Sequence, residues 1–581
     1  MAVEALGRRP RPAESLPRLR VLWLLVAAAV LATAVWGRLA YWQLARHEQL
    51  AQVARDQYTK VVPLPAARGG IYDSRMRPLV LNTEVYSVFV SPEQVPAAQR
   101  DRVAASLSGV LGVRQDQVLA LLISGRKFAY VARRQPLDRA EKLRALRLPG
   151  VGLQPEEQRS YLPGANPGTT LAANVLGFVD YDGSGRYGVE GQDNARLAGK
   201  DGSVSTYQDL ANRQIVLSDG SRRDAVNGAD LQLTIDSNIQ YAAEQAIGAA
   251  VAANKAESGT VLIMDPHTGG IIASASYPSY DANDFPHQDL ARFQDPAAAY
   301  LYEPGSVMKV VTLSGALDAH AITPATTIQD PGYVAVGGYT IHDWDLKNHG
   351  TVTMTNVLEK SLNVGAIKAM QMEGSRAYFQ YLQAFGFAAP SGIDEAGEAN
   401  VPLPPYDRWH DSEFATAAFG QGIQVDMVQM LAAVNVAANS GKYAPPHLVE
   451  RVGGVPEPVT QRPQRQVVSP ETARSMTQMM MSVVQHGSGY TARLPGFELD
   501  EAGKTGTSQM PENGKYSADH VWASYVGFLP ANNPRFTMLV VIRKPNNGSF
   551  DHNEGYYVSA PVWKQIAQAM ILQWGITPDP H

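Results

Sequence analysis

Hydrophobic and polar positions change rhythm sharply along this chain. From Val21 to Gly37 there is no charged residue; Arg38 interrupts, and Leu39–Leu44 resumes with Tyr41 and Trp42. About 20 helical residues cross a hydrocarbon layer of about 30 Å. The pattern therefore predicts a transmembrane helix over residues 21–44, with Arg38 snorkelling to the headgroups. Arg8, Arg9, Arg11, Arg18 and Arg20 outweigh Glu4 and Glu14 ahead of it, which makes residues 1–20 a cytoplasmic tail and sets Tyr41 and Trp42 at the outer interface. Ala32-Thr33-Ala34 resembles a signal-peptidase site, so a cleaved signal peptide is the alternative. The apolar run continues past that site, which favours a retained anchor. Either reading exports the remainder.

Residues 45–227 read as a mixed α/β, loop-rich domain. Leu50–Tyr58 has the look of a helix, Arg68-Gly69-Gly70-Ile71-Tyr72-Asp73 of a turn, and Pro78–Leu81 of a short apolar run. Val85–Val90 is rich in β-formers and predicts a strand. Ala104–Leu111 and Gln115–Leu122 carry helical spacing, whereas Asp180–Gly188 is rich in Gly and Asp and predicts a loop.

The pattern shifts again over residues 228–581. An alternating run at Leu231–Ile235 precedes a helix expected over Ser237–Ala249, capped by Asp236 or Ser237. Gly259–Met264 and Gly270–Ala275 flank Asp265-Pro266-His267-Thr268-Gly269 as a hairpin. Val521–Phe528 and Phe536–Ile542 predict two more strands. Pro561–Gly575 predicts a closing helix with Pro near its start and Gly at its end. Strands at both ends with helices between them predict an α+β layer assembled from distant parts of the chain.

Composition narrows the function. The 581 residues are 45% hydrophobic and 18% charged with a net charge of −5, enough for several globular domains and without the basic face of a nucleic-acid binder. There is no Cys, which excludes disulfides, thiolate metal sites and Cys nucleophiles.

Three short motifs carry candidate chemistry. In Ser306-Val307-Met308-Lys309 the hydroxyl and amine are one helical turn apart on one face. A Ser hydroxyl becomes a nucleophile when a neighbouring base takes its proton. Lys is that base only when neutral, so burial, a helix N-terminus or a second cation must lower its pKa. Alone, the spacing more often marks a solvated helix face. Ser361-Leu362-Asn363 offers a proton-relaying hydroxyl and a carbonyl-holding amide, or else an ordinary turn. In Lys504-Thr505-Gly506-Thr507, glycine in a β-like run permits close backbone approach, and an edge strand can pair with an extended peptide.

Together the trio is far more specific, being the combination found in penicillin-binding proteins and class A β-lactamases. Tyr302-Glu303-Pro304-Gly305-Ser306-Val307-Met308-Lys309, Ser361-Leu362-Asn363-Val364-Gly365 and Lys504-Thr505-Gly506-Thr507-Ser508 resemble a class B penicillin-binding protein, closest to the FtsI type that serves cell division. Arg68–Asp73, Leu176-Gly177-Phe178 and Gly188-Val189-Glu190 resemble its pedestal motifs, and Phe419-Gly420-Gln421-Gly422-Ile423 a transpeptidase segment. Ser74-Arg75-Met76 departs from the usual Arg-Asn-Gly turn, and Asp426 stands where Thr is common.

The resemblance implies a fold and a mechanism. It implies a transmembrane anchor (21–44), a pedestal of the dimerisation type (45–227) and a transpeptidase domain (228–581) with a β-lactamase-like antiparallel sheet flanked by helices. It implies that Ser306 attacks a stem-peptide D-Ala-D-Ala bond with Lys309 as base and that Ser361 and Asn363 complete the catalytic group. Lys504, Thr505, Gly506 and Thr507 would bind the terminal carboxylate, and the Ser306 and Thr507 N–H groups would form the oxyanion hole. β-Lactams would acylate Ser306, and neither a metal nor an organic cofactor is implied. Expected partners are peptidoglycan stem peptides, an FtsW-type membrane glycosyltransferase and other division proteins, at the inner (plasma) membrane. The alternatives are an elongation-type transpeptidase, a bifunctional synthase, a carboxypeptidase or β-lactamase, and a noncatalytic β-lactam sensor or divisome scaffold. His342 and His520 read as structural or surface residues, Asp343 and Asp345 as a solvated loop rather than a metal pair, and Met476, Met479 and Met480 as core.

Overall fold

The computed structural model describes residues 15–208, 214–215, 222–399, 401–457, 463–512 and 514–579. Arg8, Arg9 and Arg11 of the expected cytoplasmic tail lie outside the described residues. The chain forms two compact units, one of residues up to Ala66 with Lys200–Val226, the other of Ala67–Gly199 with Asn227 onward.

The first unit begins with α1 (Ser15–Ala40), which passes through a π-helical turn at Tyr41–Ala45. Leu19–Ala45 is a 27-residue apolar stretch, about 40 Å long at the helical rise. Its apolar side chains are exposed all round, as a helix facing lipid requires. Arg38 lies 5.6 Å from the Trp42 ring, so charge and aromatic meet at one end of the span. A helix over His47–Tyr58 follows, then a strand, Thr59–Leu64, antiparallel to Gly202–Gln208.

In the second unit a seven-stranded sheet mixes chain segments far apart in sequence. Its path runs Val455–Pro456, Val449–Val452, Leu231–Leu233, Ile71–Tyr72, Pro78–Val90 and Ala129–Gln135, with Val151–Tyr161 also on Pro78–Val90. Pro78–Leu81 and Val85–Val90 are thus one 13-residue strand; the polar Asn82-Thr83-Glu84 between them is carried by backbone pairing to Gln158, Arg159 and Glu157. Helices occupy Arg100–Leu111 and Gln115–Ile123. The expected loop at Asp180–Gly188 contains Gly185–Arg186, which pairs with Phe178–Val179.

Two of the pedestal-like motifs, at Arg68 and Glu190, meet in one buried ion cluster. Glu190 is fully buried and takes Arg159 Nε at 2.8 Å on one oxygen and Arg68 Nε at 2.8 Å on the other. Arg68 and Arg159 each place another N–H on an amide, Asn194 Oδ1 (2.9 Å) and Asn82 Oδ1 (2.8 Å). The Ser74-Arg75-Met76 turn still closes. Met76 takes a left-handed φ of 59°, and Asp73 accepts from the Arg75 and Arg77 backbone N–H groups and from Arg77 Nε.

The rest of this unit surrounds a five-stranded antiparallel sheet. Its strands are β1 (Ser258–Met264), β2 (Ile271–Tyr277), β3 (Ala502–Glu512), β4 (Lys515–Leu529) and β5 (Phe536–Arg543), ordered β2-β1-β5-β4-β3. Strand β3 is an edge. One face of the sheet packs on α2 (Ser237–Ala253) and the closing helix Ala560–Trp574, around Ile247, Val261, Tyr525, Trp563 and Ile566. The other face joins a larger core containing α3 (Met308–Asp318) and the helices Met427–Ala438 and Pro470–His486. Met476, Met479 and Met480 are buried there. Asp236 caps α2 through Asn238 N–H, and Asp426 caps Met427–Ala438 with a reciprocal Gln429 bond, so the departure at that position serves a helix terminus.

The ion cluster yields a stability prediction. Removing one partner strands buried charge and costs about 3–5 kcal/mol. Glu190→Ala should therefore lower the urea midpoint of the full chain substantially more than Glu457→Ala, whose Arg196 partner is half exposed, and equal midpoints would refute the assignment.

Candidate active site

Each motif is delivered by a different backbone device. Ser306 sits in a single 3-10 turn, Gly305–Val307, that runs into α3. Gly305 has φ 58°, and its N–H donates to Gly420 O at 2.9 Å. Gly420 is itself at φ 82°, and a Cβ there would fall 2.1 Å from Gly305 O, so only glycine fits. This accounts physically for the Phe419-Gly420-Gln421-Gly422 segment. Ser361 holds φ 59°, a left-handed conformation that costs a non-glycine residue about 1–2 kcal/mol. The helix α4 (Asn363–Glu373) starts two residues later. Lys504 to Thr507 lie on edge strand β3, where a Cβ on Gly506 would meet Ser524 Oγ at 2.3 Å and Val307 at 2.8 Å.

The three stretches converge. Lys309 Nζ is 2.9 Å from Ser306 Oγ, 2.6 Å from Ser361 O and 2.8 Å from Asn363 Oδ1. Ser361 Oγ stands between two amines, 3.4 Å from Lys309 Nζ and 2.9 Å from Lys504 Nζ. Lys504 Nζ also donates to Thr505 O at 2.8 Å. Both lysines are fully buried, while Ser306, Ser361, Asn363 and Thr507 keep partial access to solvent. The turn and the strand edge are in close contact, since a Cβ on Gly305 would lie 2.9 Å from Thr507 O. All eight expected site residues fall on this one locality.

Electrostatics follow from burial. Desolvation lowers Lys309 to about 7, against an opposing pull from Asp343. Lys504 is driven well down, by burial first and then by the neighbouring Lys309. A neutral Lys309 amine has two N–H donors and one lone pair. With Ser361 O and Asn363 Oδ1 taking the donors, the lone pair is left for the Ser306 hydroxyl, whose O–H then donates. That is the geometry of a base poised on a nucleophile.

Other residues were not singled out by the motifs. Asp343 is buried rather than solvated, correcting the loop reading. Its Oδ1 accepts from Asn363 N–H (2.6 Å) and Val364 N–H (3.0 Å), and burial, with Asp330 nearby, pushes it up to about 6. Ser488 Oγ lies 2.8 Å from Thr505 Oγ1. His342 contributes its backbone O to Asn363 Nδ2, and His520 pairs with Glu512 away from the amines. A separate cleft of about 500 Å³, lined by Arg75, Asp265, His447 and Trp574 among others, contains none of the motif residues.

Similarity to known proteins extends over most of the chain. Residues 259–568 match the family described as the penicillin-binding protein transpeptidase domain, and residues 63–233 the penicillin-binding protein dimerisation domain. This chain belongs to the class B penicillin-binding proteins. It is 32% identical to the penicillin-binding protein PbpB of Mycolicibacterium smegmatis, over 97% of this chain and 90% of that one. It is 30% identical to the peptidoglycan D,D-transpeptidase FtsI of Escherichia coli, over 96% and 92%. The crystal structure of penicillin-binding protein 3 of Mycobacterium tuberculosis in complex with aztreonam superposes with a TM-score of 0.67 at 28% identity, covering 89% of this class B protein and 98% of that chain.

Two outcomes test the site. If neutral Lys309 is the base, penicillin acylation should rise with pH through about 7 and fall about tenfold per unit below it, and Lys309→Arg should abolish it; a flat profile from pH 5 to 9 would exclude this role. Gly506→Ala should slow acylation by about tenfold or more while leaving the fold intact by circular dichroism, because its Cβ forces the strand edge off the Ser306 turn.

Proposed function

We propose that this class B penicillin-binding protein is a serine D,D-transpeptidase that cross-links peptidoglycan stem peptides at the division septum. In this reading residues 21–44 hold it as a single-pass protein in the plasma membrane, residues 45–227 form the pedestal and residues 228–581 the extracytoplasmic transpeptidase. The observation that supports the chemistry most directly is the 2.9 Å contact of Ser306 Oγ with a buried Lys309 amine whose other neighbours are acceptors.

Ser306 Oγ attacks the carbonyl between the two terminal D-alanines, and its proton passes to Lys309 Nζ. The Ser306 and Thr507 N–H groups take the developing oxyanion, worth about 2.7–4 kcal/mol per donor in serine hydrolases. Lys504, Thr505 and Thr507 receive the terminal carboxylate across Gly506. Collapse breaks the C–N bond, and Ser361, bridging the two amines, relays a proton to the departing D-alanine. Asn363 holds the remaining peptide. The amine of a second stem peptide then attacks the ester, loses its proton to the same base and frees Ser306. β-Lactams acylate Ser306 in place of the donor. α1 and the pedestal are the surfaces offered to an FtsW-type glycosyltransferase and other division proteins.

Fluorescent penicillin should label the wild-type chain and not Ser306→Ala, and purified protein given lipid-linked donor and acceptor should form cross-links. Labelling without cross-links would replace this reading with a β-lactam sensor or scaffold, and fast penicillin turnover with a β-lactamase. Depletion should give filaments; spheres would assign the enzyme to elongation.

A further inference from the structure

Behind the Ser361–Asn363 segment lies a second buried acid. Asp330 ends the strand Thr327–Asp330, is 1% exposed like Asp343, and uses Oδ1 on the Gly332 N–H at 2.9 Å. Asp343 in turn spends Oδ1 on Asn363 and Val364. Their backbones are tied together, Asp343 N–H donating to Gly332 O at 3.1 Å. That leaves one oxygen on each carboxyl, Asp330 Oδ2 and Asp343 Oδ2, both buried and both without a hydrogen-bond donor among the described residues. Gly332 thus joins the two acids, its N–H on Asp330 Oδ1 and its O on the Asp343 N–H, and Asp330 is a hydrogen-bonding neighbour that raises Asp343. Two buried acceptors in that position repel unless a proton stands between them.

We propose that Asp330 and Asp343 share a single proton between their outer oxygens, and that this pair is the positioning element of the active site. The O–H···O bond fixes the Asp343 carboxyl against the first turn of α4. That turn carries Asn363, whose Oδ1 is the 2.8 Å acceptor of the Lys309 amine. An acid group at a helix N-terminus is also favoured by the helix dipole. The charged groups around Asp343 are Lys309 on α3, Asp330, and Lys504 on β3, one step further and reaching Ser361; exposed His342 is its chain neighbour, and Asp345 is bound to His349 at 3.1 Å.

The arrangement makes an unusual demand on amide substitutions. In Asp330→Asn or Asp343→Asn the retained carbonyl oxygen still serves its backbone N–H groups, and the new NH2 points at the remaining carboxylate as the proton did. In the double variant two NH2 groups face each other. This inference rests on Ser306 being the acylated residue. The test is penicillin acylation by the full chain in detergent, resolved into half-saturation and the acylation step, together with melting temperature at pH 4.5 to 7. Each single variant should acylate within about threefold of wild type, and the double should lose about 30-fold in the acylation step with half-saturation nearly constant, a coupling within the range of contacting residues. Because the shared proton holds Asp343 above its unfolded value, the folded state keeps a proton that the unfolded state releases. This pair's contribution to stability should therefore be lost as pH rises from about 4 to about 6, so the wild-type pH slope should be shifted in that direction relative to either single variant. Additive losses in the double, singles as impaired as the double, or identical pH slopes in all three proteins would overturn the proposal. Should the double not fold, the pH slopes of the singles still decide it. Wild-type protein that takes up no penicillin would overturn the functional reading itself.

Discussion

An amine buried with no counter-ion at hydrogen-bonding distance among the described residues is the constraint on which this structure turns. Lys309 is enclosed at the start of α3, and its near neighbours are a hydroxyl, a backbone carbonyl and a side-chain amide. Burying a charge is expensive, and a protein usually meets that cost by pairing the ion or by shifting its pKa. Here the second route is taken, as the proposed role of a base requires. A carboxylate in direct contact would hold Lys309 protonated and silence it; Asp343 acts from behind the Asn363 turn, close enough to oppose the shift but not to reverse it.

Precision of that kind has to come from the scaffold. The nucleophile turn is clamped by a glycine-to-glycine backbone contact, Gly305 on Gly420. Lys504 to Thr507 lie on an edge strand paired along its inner side to β4. Ser361 takes its left-handed conformation two residues ahead of α4. The Ser306 turn runs into α3 and Lys504 to Thr507 lie on β3, and sites built on regular structure hold their geometry more tightly than sites on loops. Cores on both faces of the sheet, around Trp563 on one side and Met476 and Met480 on the other, supply the stability against which two desolvated lysines and a strained serine are set.

Much of this was legible in the sequence because local rules and site chemistry coincide there. The Ser-to-Lys spacing is a helical turn, the β3 glycines mark a close approach, and Asp236 and Gly575 cap the helices they flank. The acid pair was not legible. Asp343-Trp344-Asp345-Leu346-Lys347-Asn348 is polar enough to read as solvated loop, and Asp343 is buried only because a helix terminus 20 residues on needs an acceptor. The continuous strand Pro78–Val90 was hidden for a related reason. Asn82, Thr83 and Glu84 interrupt its apolar pattern, yet Asn82 is required there, since its amide serves Arg68 O on one side and Arg159 on the other.

Ser361 shows how these constraints combine. Its left-handed backbone turns the carbonyl oxygen onto Lys309 while its hydroxyl bridges to Lys504. A residue in the ordinary helical or extended region would direct those two oxygens differently relative to each other. Glycine would adopt the conformation freely but would bring no hydroxyl. The strain is therefore the cost of having one residue address two amines, and it persists only while α4 cannot slide or fray at its first turn. The two N–H groups that would otherwise be unsatisfied at that turn are the ones Asp343 accepts. The buried acid, the strained serine and the desolvated lysine are thus consecutive links of one hydrogen-bonded chain, and the geometry at Ser306 depends on each of them.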